Sequence, residues 1–354
     1  MKRIAVVVPG SIAQRSGGYE YDRRIVAGLR ARGWVVDVHE IDGAFPRPSA
    51  AALETAAQTL AAIPDGSLVL ADGLAFGAMP AEAEREGGRL NFVALVHLPL
   101  AAHVGINRQE ADRFAQGERR TLAAARACIV TGAPTVRALE AYGVRPEQIA
   151  VVEPGTDRAP LARGSRNPLH LVSVAAITVG KGHEILLRAL ARLRQRTWRL
   201  TCAGSLDRDP VSAARIRELV DAEQLGKRVA LAGELDSTEL AALYDSGDVF
   251  VHASLHETYG MVVAEALARG VPVVGSATGA IPDLVGSDAG LLVPPGDAAS
   301  LESALSSVID DADVRDRLAA GARRVRDRLP TWDDAVDKMV NLLARLEDDG
   351  SFAR

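Results

Sequence analysis

Short, wholly apolar runs alternate along this chain with longer segments of helical periodicity, and that alternation narrows the fold more than any other feature. It is the pattern of βα units wound around a mostly parallel sheet. In the first half the runs are Ile4–Val8, Val35–His39, Leu68–Ala71, Phe92–Val96, Cys128–Val130 and Ala150–Val152. The intervening helical stretches are Tyr19–Arg32, Ala50–Ala62, Gln109–Ala125 and Ala133–Tyr142. The second half repeats the rhythm with runs at Leu169–Val174, Trp198–Cys202, Val229–Leu231, Val249–His252, Val271–Val274 and Gly290–Val293. Helices are expected there over His183–Gln195, Ser212–Glu223, Ser237–Asp245, Tyr259–Arg269 and Ala298–Ala320. Strands apolar at every position imply helices on both sheet faces.

The rhythm breaks at Glu153–Pro168, where three prolines interrupt a stretch without periodicity. With 354 residues, two domains are expected. They are 1–160 and 161–330, followed by an amphipathic segment, Thr331–Leu346, that can fold back across either domain, with 331–354 grouped with the first. The expected fold class is α/β, two doubly wound domains with a cleft between them. Such sheets bind ligands at the carboxyl ends of their strands.

Composition excludes several functions. The net charge of −5 gives no bulk attraction to nucleic acid or anionic lipid. No apolar run reaches the roughly 18 residues of a membrane span. Two cysteines, Cys128 and Cys202, are too few for a disulfide framework and suit a reducing compartment. The apolar start before Pro9-Gly10 is shorter than a signal peptide's core of about 7–15 residues and reads as a buried first strand. A cytoplasmic protein is expected.

The stretch richest in chemistry is His252-Ala-Ser-Leu-His-Glu-Thr-Tyr-Gly-Met-Val-Val-Ala-Glu-Ala-Leu-Ala-Arg-Gly. A strand ends, a loop carries Glu257, and a helix is expected to start near Tyr259-Gly260. Free N–H groups at a helix start favour an anion, and Gly260 allows close backbone approach. Glu265 interrupts an apolar helix, where an unpartnered carboxylate is costly. Taken singly, each glutamate reads as an ordinary paired or exposed residue. Their spacing, with seven residues between them, says more.

In its setting S-x-x-E-x-Y-G-x-x-x-x-E-A-x-A-x-G-x-P-V-V, the pair resembles the family 4 retaining glycosyltransferases of GT-B architecture, two Rossmann-like domains facing a central cleft. The resemblance extends over essentially the whole chain. It implies that Glu265 takes ribose hydroxyls and that Glu257 binds the donor sugar. Thr258 and Tyr259, with backbone amides at Gly260, Met261 and Val262, would hold the sugar and diphosphate. Gly180-Lys181-Gly182-His183 resembles the family's phosphate-binding element, with Lys181 on the diphosphate. The family commonly has an arginine five residues earlier; here that position is Ala176. Arg208, in the loop opened by Gly204, is the candidate replacement.

Gly17 and Gly18 resemble the family's amino-terminal glycine loop, and His97 its histidine near the transferred sugar, with His103 a weaker candidate. Glu153-Pro-Gly-Thr-Asp157 resembles the turn that ends the family's first domain. The segment with Leu231, Gly233 and Leu235 resembles the region that reads the nucleotide base. Uracil and guanine both stay open. His252 and His256 have metal-like numbering but not one helix face, and no metal is expected.

The resemblance thus implies a metal-independent, retaining transfer from a UDP- or GDP-sugar to an acceptor hydroxyl. It implies no cofactor beyond the nucleotide sugar as co-substrate, and no protein base. Residues 1–160 carry 18 basic and 18 acidic residues, and Ala50–Ala62 has no basic residue. A soluble small-molecule or glycan acceptor is therefore expected over a lipid, with no nucleic-acid partner, and homo-oligomers are allowed. The alternatives are a non-catalytic sugar-nucleotide sensor or partner subunit, and a sugar-nucleotide 2-epimerase of the same fold.

Overall fold

The structure, a computed structural model, describes residues 2–165 and 167–348. These form two compact units, one up to Gly155 with the chain from Pro330 onward, the other Thr156–Leu329.

The first unit is a six-stranded, all-parallel sheet in the order β2-β1-β3-β4-β5-β6. Its strands are β1 (Arg3–Pro9), β2 (Val35–Ile41), β3 (Leu68–Asp72), β4 (Asn91–Val96), β5 (Ala127–Val130) and β6 (Ile149–Val151). Its helices are α1 (Gly17–Ala31), α2 (Ala50–Ala62), α3 (Gly73–Phe76), α4 (Pro80–Glu86), α5 (Arg108–Ala124) and α6 (Ala133–Ala141). Each expected strand is present, shifted by at most a residue or two. Every residue of β3 is buried, as helices on both faces require. Helices α3 and α4 were not expected. They are short, and Asp72 starts α3 by accepting a hydrogen bond from the Leu74 N–H at 2.8 Å.

The second sheet, also parallel, runs β12-β11-β10-β7-β8-β9. It comprises β7 (Leu169–Val174), β8 (Trp198–Ala203), β9 (Val229–Gly233), β10 (Val249–His252), β11 (Val273–Ser276) and β12 (Gly290–Val293). Around it lie α7 (His183–Arg192), α8 (Pro210–Ala222), α9 (Ser237–Ser246), α10 (Met261–Leu267), α11 (Ile281–Val285), α12 (Ala298–Asp310) and α13 (Ala312–Arg326). The single helix expected over Ala298–Ala320 is two. Asp311 leaves helical geometry, and its carboxylate accepts from the N–H groups of Asp313 and Val314, capping α13. The helix expected over Tyr259–Arg269 is shorter at both ends. Gly260, at φ 94°, is its N-cap and excludes Tyr259.

Between β6 and β7 the described residues have no regular structure, where the proline-rich break was read. Helix α14 (Trp332–Asp348) belongs to the first unit and packs on α1. Val336 lies where a side chain on Gly28 would stand, and Met339 and Leu343 are fully buried.

Candidate functional site

Parallel strands direct all of their carboxyl ends to one edge of a sheet. In the second unit the order reverses between β7 and β10, and ligands bind doubly wound sheets at such a reversal. Both segments richest in chemistry emerge there. After β7 the chain makes a tight turn over Val179–Lys181 and starts α7 from Gly182, at φ 69°. After β10 it forms the loop that carries Glu257. The two are stitched together: the Leu255 N–H donates to the Gly180 carbonyl at 2.8 Å. A Cβ on Gly182 would stand 2.0 Å from the Ala253 oxygen.

The stitching unites Lys181 and Glu257. Lys181 Nζ donates to Glu257 Oε2 at 2.8 Å, and His252 Nε2 lies 3.0 Å from the same oxygen. Oε1 takes part in neither contact. Burial pushes the Glu257 carboxyl up, but Lys181 and His252 outweigh it and hold the group far below the usual carboxylate range. Glu257 is therefore an anion and an acceptor of hydrogen bonds at any working pH. His183, buried at the start of α7, has no hydrogen-bond partner on either ring nitrogen. Burial first, then His252 and Lys181, pull it down to about 4, so it stays neutral.

Glu265 sits half-buried on α10, and its Oε2 accepts from the Tyr244 hydroxyl at 2.8 Å. Tyr244 is a residue that sequence reading did not single out; only the fold shows it beneath α10. Thr258 is half-buried, and its carbonyl accepts from the Ala280 N–H at 2.9 Å. Behind that loop, Gly279 at φ 58° leaves no room for a side chain, because a Cβ would stand 2.0 Å from the backbone carbonyl oxygen of Glu257. Tyr259 is buried, and Met261 and Val262 are half-buried in the first turn of α10.

The loops after β8 and β9 share the edge. Gly204 presses on the Ala175–Ala176 backbone, where its Cβ would stand 2.2 Å from the Ala175 oxygen. Its N–H donates to the Gly233 carbonyl at 2.8 Å, and Leu235 follows, half-buried. Arg208 lies exposed in the loop after β8, its N–H donating to Ser205 Oγ at 3.2 Å.

In the first unit the strand order reverses between β1 and β3. Gly17 and Gly18 open α1, with Ser16 as N-cap. A Cβ on Gly18 would lie 3.2 Å from His97 Cδ2, so the small residue admits the imidazole. His97 Nε2 is 3.0 Å from Asp22 Oδ1 and 3.7 Å from Asp72 Oδ2, and the ring meets Tyr21 edge-on. Burial lowers the His97 value, but Asp22 and then Asp72 raise it further, for a net rise. His103 lies further on, past the short turn Leu100–Ala102, outside this group.

Asp22 and Asp72 were missed, and both left a signal. Asp72 closes an otherwise apolar strand, and Asp22 shares helical spacing with the buried Ile25, Val26 and Leu29.

The family model for glycosyl transferases group 1 matches residues 161–325. A D-inositol 3-phosphate glycosyltransferase of Xylanimonas cellulosilytica is 29% identical over 249 residues, 65% of this chain and 59% of that protein. An MMP alpha-(1->4)-mannosyltransferase of Mycolicibacterium hassiacum is 31% identical over 217 residues, 60% of this chain and 52% of that one. The chain thus matches between about half and three-fifths of the length of these relatives. Among solved structures, sucrose-phosphate synthase from Thermosynechococcus elongatus superposes with a TM-score of 0.84 at 22% identity, covering 99% of this chain and 100% of that one. Anabaena HepE in complex with UDP gives 0.75 at 19% identity, covering 97% and 100%. Residues 161–325 therefore match the group 1 glycosyl transferases, and the chain has the GT-B fold of glycosyltransferases.

Proposed function

We propose that the protein is a family 4 retaining glycosyltransferase, moving a sugar from a nucleoside diphosphate sugar to an acceptor hydroxyl. The observation that carries this reading is the contact of Lys181 and His252 with one oxygen of Glu257, at the strand-order reversal of the second unit. A fixed anion with its second oxygen outside those contacts suits the hydroxyls of a sugar, which donate hydrogen bonds to it. A lysine beside it suits the charge that develops on a departing diphosphate. The N–H groups that open α10 add donors for the same charge, and Gly260 keeps that approach clear.

In this scheme Lys181 shifts from Glu257 to the diphosphate as the donor enters, and Glu257 turns to the sugar. No metal acts on the diphosphate. The acceptor attacks from the face the diphosphate leaves, and the diphosphate takes its proton. Glu265 receives the ribose hydroxyls, Gly233 and Leu235 flank the base, and Arg208 supplies the cation that Ala176 lacks. His97 is assigned to the transferred sugar on the resemblance alone.

The acceptor is proposed to be a soluble small molecule or glycan. The balanced charge of residues 1–160 supports this, and no helix among the described residues is long and apolar enough to cross a membrane. Cys128 and Cys202, both buried and pushed up to about 12 by burial, suit a reducing cytoplasm. Ala176 favours a second reading, a non-catalytic sugar-nucleotide sensor.

Thermal shift against uridine and guanosine diphosphates and their sugars tests binding. A ligand at 100 times its Kd stabilises by about 2.7 kcal/mol. A shift with one base, lost in Lys181→Ala, is expected; no shift with any of them overturns both readings. Product formed with the donor's anomeric configuration kept, read by NMR, separates transferase from sensor.

A further inference from the structure

The geometry points to a divalent-cation site in the first unit, formed by Asp22, Asp72 and His97, with Mn2+ or Zn2+ as the class of ion it takes. This site shares His97 with the nucleotide-sugar reading, which assigns that residue to the transferred sugar, but it does not rest on that reading. The sequence reading expected no metal, since the resemblance implies a metal-independent transfer and His252 and His256 do not share a helix face; Asp22, Asp72 and His97 lie far apart in the chain.

One ligand atom from each of these residues lies within 4.8 Å of the others. His97 Nε2 is the hub, at 3.0 Å from Asp22 Oδ1 and 3.7 Å from Asp72 Oδ2. An ion with bonds of about 2.0–2.2 Å holds neighbouring ligand atoms roughly 3.0–3.5 Å apart, so small rotations close the set. Two carboxylates and one imidazole are a donor set for first-row divalent ions.

The surroundings also call for a cation. Asp22 and Asp72 are 3% and 4% exposed, so two acids face each other out of water. Asp22 Oδ2 is buried with no hydrogen-bond partner. Asp72 has its other oxygen engaged by the Leu74 N–H, which fixes the carboxylate and leaves Oδ2 toward His97. A divalent ion balances both carboxylates and satisfies the orphaned oxygen.

Position agrees with this. The three residues stand on α1, at the end of β3 and just past the end of β4, where the strand order reverses. The His97 side chain is 19% exposed, so the group has a face toward solvent. Three protein ligands leave coordination positions for water or a substrate hydroxyl.

The test uses the full chain, stripped with a chelator and dialysed, then titrated calorimetrically with Mn2+ at pH 7.5 and again with Zn2+. One equivalent per chain is expected with at least one of them. Affinity should fall at least tenfold in Asp22→Asn and in Asp72→Asn, with circular dichroism showing both folded. Should either variant fail to fold, pulsed electron–nuclear resonance on the Mn2+-loaded or Cu2+-substituted wild type decides; coupling to one imidazole nitrogen is expected. Absence of stoichiometric uptake, uptake unchanged in both folded variants, or no nitrogen coupling overturns the site.

Discussion

Glu257 receives Lys181 and His252 on one oxygen, so removing its charge affects both partners. In Glu257→Gln the lysine loses its carboxylate at a site where the glutamate is 17% and the lysine 32% exposed. Partial screening reduces the penalty of a broken buried pair, and a loss of about 1–3 kcal/mol is expected by urea unfolding at pH 7. Under the proposed function its turnover falls about 10²-fold or more, read by nucleotide release, as when a preorganised charge-stabilising group is deleted. Glu118 makes a different prediction. Its Oε1 accepts from the Leu100 N–H at 2.8 Å, and burial pushes it from 4.5 to about 7. Between those values the folded protein keeps a proton that the unfolded chain has released. This contribution to stability is therefore full below pH 4.5, falls as pH rises to 7, and is level beyond. Glu118→Gln retains the acceptor without the charge. It should match wild type near pH 4.5 and exceed it by up to about 3 kcal/mol at pH 8, checked by unfolding across that range.

Elements are held at the sheet edge by glycines that a side chain would displace. Gly182 combines a left-handed φ of 69° with backbone 2.0 Å from where its Cβ would stand, and it joins the Lys181 turn to the Glu257 loop. Gly182→Ala should cost about 3 kcal/mol or more, seen as a lowered Tm, since the backbone strain alone is worth roughly 1–2 kcal/mol. Gly226→Ala, with nothing within 4 Å of its Cβ, is the near-neutral control. Element boundaries follow the same local chemistry. Asp311 divides α12 from α13 because a carboxylate that accepts two backbone N–H groups competes with helix continuation. Apolar periodicity continues across that residue, so the pattern alone joined the two helices.

For the whole molecule, α14 completes the first unit. Ala335, Val336, Met339, Leu343 and Leu346 join α1 residues in one core beneath the sheet. Arg32 adds polar contacts, with Nε 2.6 Å from Asp337 and Nη2 3.1 Å from Asp333. Met339→Ala deletes a fully buried side chain and should destabilise the protein by about 2–5 kcal/mol in thermal or urea unfolding. If nucleotide is bound by the second unit, as proposed, its Kd in the same variant stays at the wild-type value by calorimetry.

Much of this was legible in the sequence. Strands buried on both faces read as unbroken apolar runs wherever they occur, and the helices between them read by their period; both signals lie within a few neighbouring residues. The same locality made Lys181, Glu257 and Glu265 candidates, since each stands beside a glycine turn or within an apolar helix. Which side chains meet was decided by the tertiary structure. Lys181 reaches Glu257 across 76 residues because β7 and β10 are neighbours at the reversal of strand order. Asp22 reaches His97 across 75 because β1, β3 and β4 end side by side. Strand order depends on how distant crossovers pack, and no local pattern encodes it.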